Sequence, residues 1–110
     1  MDSQKLFEQV KRKLNVTWQD EETDARIKEI IASATIDLIN LIGIPNSDFD
    51  FSEAGLENTI FKAYCLYEWN HALDEFEDNY ANKLGQLKAK YDVLNYLKSV
   101  ENEGAENEEV

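Results

Sequence analysis

Apolar residues recur every three or four positions along most of this chain, which is the spacing of one face of an α-helix. Leu6, Val10 and Leu14, for example, repeat at four-residue intervals near the start. A single Pro in 110 residues also favours helices. The pattern predicts four helices, over residues 3–14, 21–42, 57–78 and 81–100. The fold class is therefore expected to be all-α, a compact bundle of about four helices.

The ends of the second predicted helix carry the clearest local signals. Thr17 or Asp20 can cap its start, and Gly43 followed by Pro45 is typical of a helix that has just ended. Residues 43–56 are predicted to form a long loop between helices two and three. Beyond residue 100 the chain is rich in Glu and Asn and has too little apolar surface to fold alone. We therefore expect a helical domain over residues 1–100 and a disordered acidic tail over 101–110.

Two of the predicted helices are apolar on a second side. A second stripe on helix two includes Ile36 and Ile39, and helix three has nearly opposite apolar faces. Such a helix either lies at the centre of its own domain or shares a face with another chain, and the pattern leaves both alternatives open. The residues that we expect at a subunit or partner interface are Trp18, Ile36, Ile39, Phe49, Phe51, Tyr64, Tyr67 and His71.

The net charge is strongly negative, because 23 acidic residues stand against 11 basic ones, giving −12 at pH 7. General binding to nucleic acid is disfavoured, since phosphates would be repelled. The charge is also unevenly distributed: the net value is +2 over residues 1–14, −12 over 15–80, +3 over 81–98 and −5 over 99–110. Most such charge runs are solvated faces, but one surface of this chain could present a negative field.

Candidate catalytic or metal-binding patterns are weak. Glu68 and His71 form a Glu-x-x-His pair, but di-iron bundles need two such pairs and this chain has a single His. Cys65 and His71 are too far apart around a helix to act as nucleophile and base. Asp48 and Asp50 resemble the start of a calcium loop whose later ligands are missing. No phosphate loop, dinucleotide fingerprint or zinc spacing occurs. We therefore expect neither an enzyme nor a cofactor nor a metal site.

Two further classes are disfavoured by simple features of the chain. No apolar run is long enough to cross a membrane, and the first residues lack the apolar stretch of a signal peptide. A single Cys excludes a disulfide framework within the chain. We therefore expect an intracellular, soluble protein that contacts no membrane.

A set of short motifs spread over about residues 5–97 is similar to a known family. The order of these motifs resembles the head–tail connector (head-completion adaptor) family of long-tailed bacteriophages. They lie at residues 11–18 (KRKLNVTW), 41–45 (LIGIP), 64–70 (YCLYEWN), 73–76 (LDEF) and 79–80 (NY).

The resemblance implies a structural role in the virion. Family members are small helical proteins without enzymatic activity that assemble, in the host cytoplasm, as a ring beneath the portal. The ring is often twelvefold, extends the DNA channel and offers a docking surface for the next stopper or tail-completion protein. DNA passes through without specific binding. The terminal segment commonly reaches the portal protein, which would place these tail residues there: Glu101, Glu103, Glu106, Glu108 and Glu109.

The same charge also fits a different class of function. A monomeric acidic protein can mimic DNA and inhibit a DNA-binding enzyme or act as a regulator, and the acid runs at residues 20–24 and 74–78 suit that role. The sequence alone keeps this alternative open beside the connector.

Overall fold

The helix pattern is present in a computed structural model, which describes residues 3–108 and, for residues 102–108, only the helical backbone. Within these residues there is no strand, so the all-α class is confirmed. None of the described helices is both long and apolar enough to cross a bilayer. There are five helices where four were expected: α1 (Ser3–Lys13), α2 (Glu21–Ile42), α3 (Leu56–Trp69), α4 (Leu73–Asn79) and α5 (Ala81–Glu108).

Helix α2 begins and ends where the sequence predicts. The Asp20 carboxylate accepts hydrogen bonds from the Thr23 N–H at 3.1 Å and from the Thr23 hydroxyl at 2.7 Å, which satisfies an otherwise free backbone donor. These bonds hold the pKa of Asp20 below its ordinary value. At the other end Gly43 adopts φ 88°, a left-handed conformation that glycine reaches without a Cβ clash. Local chemistry alone therefore explains both boundaries.

The predicted helix over residues 57–78 is wrong, because it is two helices, α3 and α4. His71 takes the left-handed conformation, with φ 56°. Its N–H donates to the Glu68 carbonyl at 3.1 Å, and the Ala72 N–H donates to the Tyr67 carbonyl at 2.8 Å. This pair of bonds is the Schellman motif, which terminates a helix. His71 occupies the position that glycine usually takes, so the sequence contains no residue type that would have predicted the break.

Helix α3 lies at the centre of the molecule and packs against each of the other four helices. Of the two alternatives for its two apolar sides, the structure therefore favours a central helix within one domain. Its buried side chains, which point to several sides, are Asn58, Ile60, Phe61, Ala63, Tyr64 and Cys65. They meet one continuous core to which α1, α2, α4 and α5 all contribute.

The predicted loop between α2 and α3 is present, and it enters the core. Phe51 is 0% exposed. Its ring centroid lies 4.7 Å from that of Phe61 and 4.9 Å from that of Phe49. Aromatic contacts at these separations stabilise beyond the burial of area alone. The loop is thus a packed part of the fold.

The side-chain amides of Gln9 and Asn58 hold the loop in place through hydrogen bonds. The buried Asn58 side chain donates to the Phe51 carbonyl at 2.7 Å and to the Gln9 side-chain oxygen at 2.8 Å. Gln9 in turn donates to the Ser52 carbonyl at 2.9 Å. Each buried polar group of this network therefore has a partner, as buried polar groups require. The network joins α1, the loop and α3.

Helix α5 is attached to the start of α3 by a carboxylate. Glu57 accepts hydrogen bonds from the Lys90 ammonium at 2.7 Å and from the Tyr91 hydroxyl at 2.8 Å. Burial raises the pKa of Glu57, but these hydrogen bonds outweigh it and hold the pKa below its ordinary value. One turn further on, the Asn95 side chain donates to the Gly43 carbonyl at 3.1 Å.

Replacing Glu57 with Gln should lower the free energy of unfolding by about 1 kcal/mol at pH 7, because two charge-assisted bonds are weakened in a partly solvated site. A carboxylate with a lowered pKa stabilises the fold above its ordinary pKa of about 4.3 and loses that effect as the pH falls. The difference between wild type and Glu57→Gln should therefore shrink below about pH 4. Urea denaturation from neutral to acid pH measures it, and a constant difference would contradict the assignment. Tyr91→Phe, which removes one bond, should cost less.

The last helix continues beyond the predicted domain boundary. α5 runs without a break from Ala81 to Glu108, about 42 Å at a rise of about 1.5 Å per residue. The expected helix end at Val100 is therefore corrected, while the division into a domain over residues 1–100 and a tail over 101–110 stays a prediction. Glu and Ala favour helix, whereas Gly104 disfavours it by about 1 kcal/mol and Asn102 and Asn107 disfavour it by less. The molecule is accordingly elongated, with extents of 61 × 29 × 19 Å.

Candidate interaction surfaces

Two residues predicted at an interface lie in the core of the monomer instead. Phe51 is fully buried because the loop folds inward, and Tyr64 is buried beneath α2 and α4. The Tyr64 hydroxyl donates to the Asp37 carboxylate at 2.5 Å. Burial and this hydrogen bond raise the pKa of Tyr64. In the folded monomer Phe51 is not available to a partner, and only a small part of Tyr64 reaches the surface.

Three more of the predicted residues are half-buried against that core, namely Ile39, Phe49 and Tyr67. The Phe49 ring meets the Tyr91 ring at a centroid distance of 6.3 Å. The Tyr67 ring lies 5.7 Å from that of Phe76. These side chains mainly join the loop and α4 to the rest of the molecule.

The remaining predicted interface residues are exposed. Ile36 is 62% exposed and Trp18 is 52% exposed, and His71 also lies at the surface. Ala25 and Ala32, which share the second stripe of α2 with Ile36, are exposed as well. Apart from the half-buried Ile39, the second stripe of α2 therefore faces solvent, and Ile36 is its one exposed large apolar side chain.

Among the described residues, the largest group of exposed apolar side chains lies on α5, where the sequence pattern predicts no interface. We call this group the α5 ridge: Val93, Leu94, Tyr96, Leu97 and Val100, exposed by between 44% and 68%. Helical spacing alone puts Leu94 on the same face as Leu84, Leu87 and Tyr91, but only the last three are buried. The signal that could have found the ridge is the i, i+4, i+7 spacing of Val93, Leu97 and Val100.

A groove lies between α2 and α4, which we call the α2–α4 groove. Its volume is about 470 Å³. Its lining combines apolar side chains with acidic ones and consists of Asp37, Asn40, Leu41, Tyr64, Leu73, Phe76 and Glu77. All four acids of α4 are exposed, namely Asp74, Glu75, Glu77 and Asp78, and none of them forms an ion pair with the described residues. The groove is thus apolar at its floor and negative at its rim.

The Glu68 and His71 pair loses its helical geometry, because His71 lies beyond the end of α3. The end of α3 is covered by Arg26, which donates to the Trp69 carbonyl at 2.9 Å and lies 4.2 Å from the centre of the Trp69 ring. Such stacking of a guanidinium on an indole is stabilising. Among the described residues, no group of three or more His, Cys, Asp or Glu side chains is placed to bind a metal.

The other candidate chemical groups have structural surroundings. Cys65 is fully buried, and burial raises the pKa of its thiol, which disfavours the reactive thiolate. Asp50 accepts hydrogen bonds from both the N–H and the hydroxyl of Ser52, which shape the loop. The calcium-like spacing at Asp48 and Asp50 therefore belongs to a turn that satisfies its own polar groups.

Of the predicted tail residues, Glu101 is exposed on α5. The side chains of Glu103, Glu106 and Glu108, together with residue Glu109, lie outside the described residues. Their proposed contact with a portal stays a prediction.

Comparison with known proteins adds no further identification. No family model, curated protein or solved structure matches the chain.

Proposed function

We propose that this protein is a non-enzymatic structural adaptor of a bacteriophage head–tail junction. In this role it forms a ring beneath the portal, joins the DNA-filled head to the tail and extends the DNA channel. Its partners are further copies of itself, the portal protein and a downstream stopper or tail-completion protein. DNA passes through the ring without specific binding, and the site of action is the virion.

The observation that carries the proposal is the presence of separate apolar surfaces on one folded monomer. The α5 ridge lies on the last helix, and Ile36 lies on the exposed stripe of α2. Two different surfaces are what a subunit needs to contact a neighbour on each side, and such head-to-tail contacts close into a ring when the rotation permits. The contiguous exposed apolar side chains of the α5 ridge are of the kind that mark interaction sites.

The negative charge supports the proposal that DNA passes through the ring without specific binding. Residues 15–80 carry a net charge of −12, and the four acids of α4 face solvent. A negative wall repels phosphate, so DNA can slide along it without adhering. The resemblance of the motifs to the connector family points in the same direction.

Binding to a portal tests the proposal directly. The purified chain should form a complex with portal rings from the same genome, visible by light scattering and as an added layer in electron microscopy. Failure to bind by a chain that circular dichroism shows to be folded would count against an adaptor role. Assembly need not occur without the portal, since the portal can template the ring.

A second candidate is favoured by the exposed acids alone. Asp20, Glu21 and Glu22 face solvent at the start of α2, as do the acids of α4, and such surfaces can imitate the phosphates of DNA. An inhibitor of this kind should compete with duplex DNA for a nuclease or repressor. Portal binding without any such competition would exclude it.

A further inference from the structure

Helix α5 has two opposite faces, and its own chain uses one of them. Leu84, Leu87 and Tyr91 face the core. The positions on the opposite side of the helix all face solvent. We call these positions the α5 seam: Asn82, Gln86, Ala89, Val93, Tyr96 and Val100. The last three also belong to the α5 ridge, so the seam carries much of the exposed apolar surface.

The α5 seam has the spacing of a helix that pairs with another helix. Its intervals alternate between four and three residues from position 82 to position 100, as the a and d positions of a heptad do. Its apolar members are Ala89, Val93, Tyr96 and Val100. Because the seam lies opposite the core face, a second helix can lie along it on the solvent side of the molecule. The expected occupant of the seam is therefore a helix.

The charges of α5 are separated along its length. Residues 81–91 carry three Lys and no acid, whereas residues 101–108 carry four Glu and no base. Of the three lysines, Lys90 is paired with Glu57, and the other two form no ion pair with the described residues. Two copies of α5 that run in opposite directions place the basic half of each against the acidic end of the other. A parallel pair would bring the two acidic ends together.

The seam also fixes the register of an antiparallel pair. When each a position faces a d position of the other helix, Val93 lies beside Tyr96 of the second copy. Ala89 then lies beside Val100 of the second copy, so a smaller side chain meets a larger one in both layers. This register is centred between residues 94 and 95, which is also the midpoint of α5 (Ala81–Glu108). The two helices therefore overlap over their whole length.

We propose that two copies of this chain associate through their α5 seams as an antiparallel helix pair. The contact is two-fold symmetric, because the same surface is used on both copies. The pairing stands on α5 alone and does not rest on the proposed function. Since it covers much of the α5 ridge, it describes the free protein, and the pair must open before the ridge can contact a neighbour in a ring.

A charge in the middle of the seam tests the contact. Val93→Glu changes an exposed side chain and leaves the core intact. It should raise the self-dissociation constant of the full chain at least about tenfold, measured by sedimentation equilibrium. The matched control is Ala25→Glu, which adds the same charge at an exposed position of α2 and should associate as wild type does. Thermal melts followed by circular dichroism show that both variants fold.

Disulfide formation tests the direction of the two helices. Two single variants, Ala89→Cys and Val100→Cys, are mixed and oxidised with glutathione disulfide. In the antiparallel pair position 89 of one copy lies beside position 100 of the other, so a disulfide between the two variants should be the main product by mass spectrometry. The native Cys65 is fully buried and does not compete.

Other outcomes overturn the pairing. Disulfides that form mainly within each variant, 89 to 89 and 100 to 100, would show a parallel pair. Unaltered association of Val93→Glu would show that the seam is not used, and a wild-type chain that stays monomeric up to about 1 mM would exclude the pair. If that monomer still bound the portal, the proposed function would stand while the pairing failed. A dimer that never bound the portal would show the reverse.

Discussion

Replacing Phe51 with Ala should lower the free energy of unfolding by about 3–5 kcal/mol, the cost of emptying a fully buried phenylalanine site. Phe51 is the side chain by which the loop over residues 43–55 enters the core, and it packs against Phe49 and Phe61. Its loss removes aromatic contacts from both neighbours and leaves a cavity lined by apolar groups. Urea denaturation followed by circular dichroism measures the change.

A matched control separates packing from loop conformation. Phe51→Leu retains much of the volume and should cost clearly less than Phe51→Ala. If both variants were within about 1 kcal/mol of wild type, the loop would not be part of the core. Exposed residues on the same loop, such as Glu53, should tolerate alanine with little effect.

Replacing Asn58 with Asp should destabilise the fold by more than about 3 kcal/mol at pH 7, although the two side chains have almost the same size. The Asn58 amide donates to two oxygens, those of Phe51 and Gln9. A carboxylate there would face both acceptors without a proton to share, in a buried site. Its pKa would therefore rise in the folded state.

The pH dependence identifies the cause. A carboxyl group whose folded pKa is raised binds a proton more readily in the folded chain, so the Asn58→Asp variant should regain stability as the pH falls below that raised value. Asn58→Ala should cost about 1–3 kcal/mol, with the same pH dependence as wild type. Chemical denaturation of the three proteins between pH 7 and pH 4 makes the comparison. A destabilisation by Asn58→Asp that did not change with pH would contradict the proposed hydrogen-bond directions.

The parts of the fold that the sequence predicts well are those set by neighbouring residues. The bounds of α2 follow from the Asp20 cap and from Gly43, and both act within one turn of the helix. The break after α3 was missed because the left-handed residue there is His71, which carries none of glycine's sequence signal. Because α3 ends there, residues before and after residue 70 do not share the helical faces that were predicted for this segment.

The parts that the sequence predicts poorly depend on distant contacts. Phe51 lies in an alternation of Asp and Phe that is typical of a half-buried strand, and only the fit of its ring against Phe61 places it inside a helical core. The apolar period of α5 passes without change from Tyr91 to Leu94. Leu94 is exposed because α5 extends beyond the other helices from about this point, close to the contact between Asn95 and Gly43. No local pattern contains that information.

The hydrogen bonds that hold the loop also bear on how the chain reaches its fold. Gln9 meets Ser52 across 43 positions of sequence, Asn58 meets Gln9 across 49, and Asn95 meets Gly43 across 52. Chains dominated by contacts between such distant residues fold more slowly than helical bundles whose contacts are local. During synthesis, the half-buried Gln9 amide of α1 has both of its partners only after residues 52 and 58 have emerged. Although every described element is a helix, closure of these long segments is therefore expected to slow folding relative to a bundle whose contacts are all local.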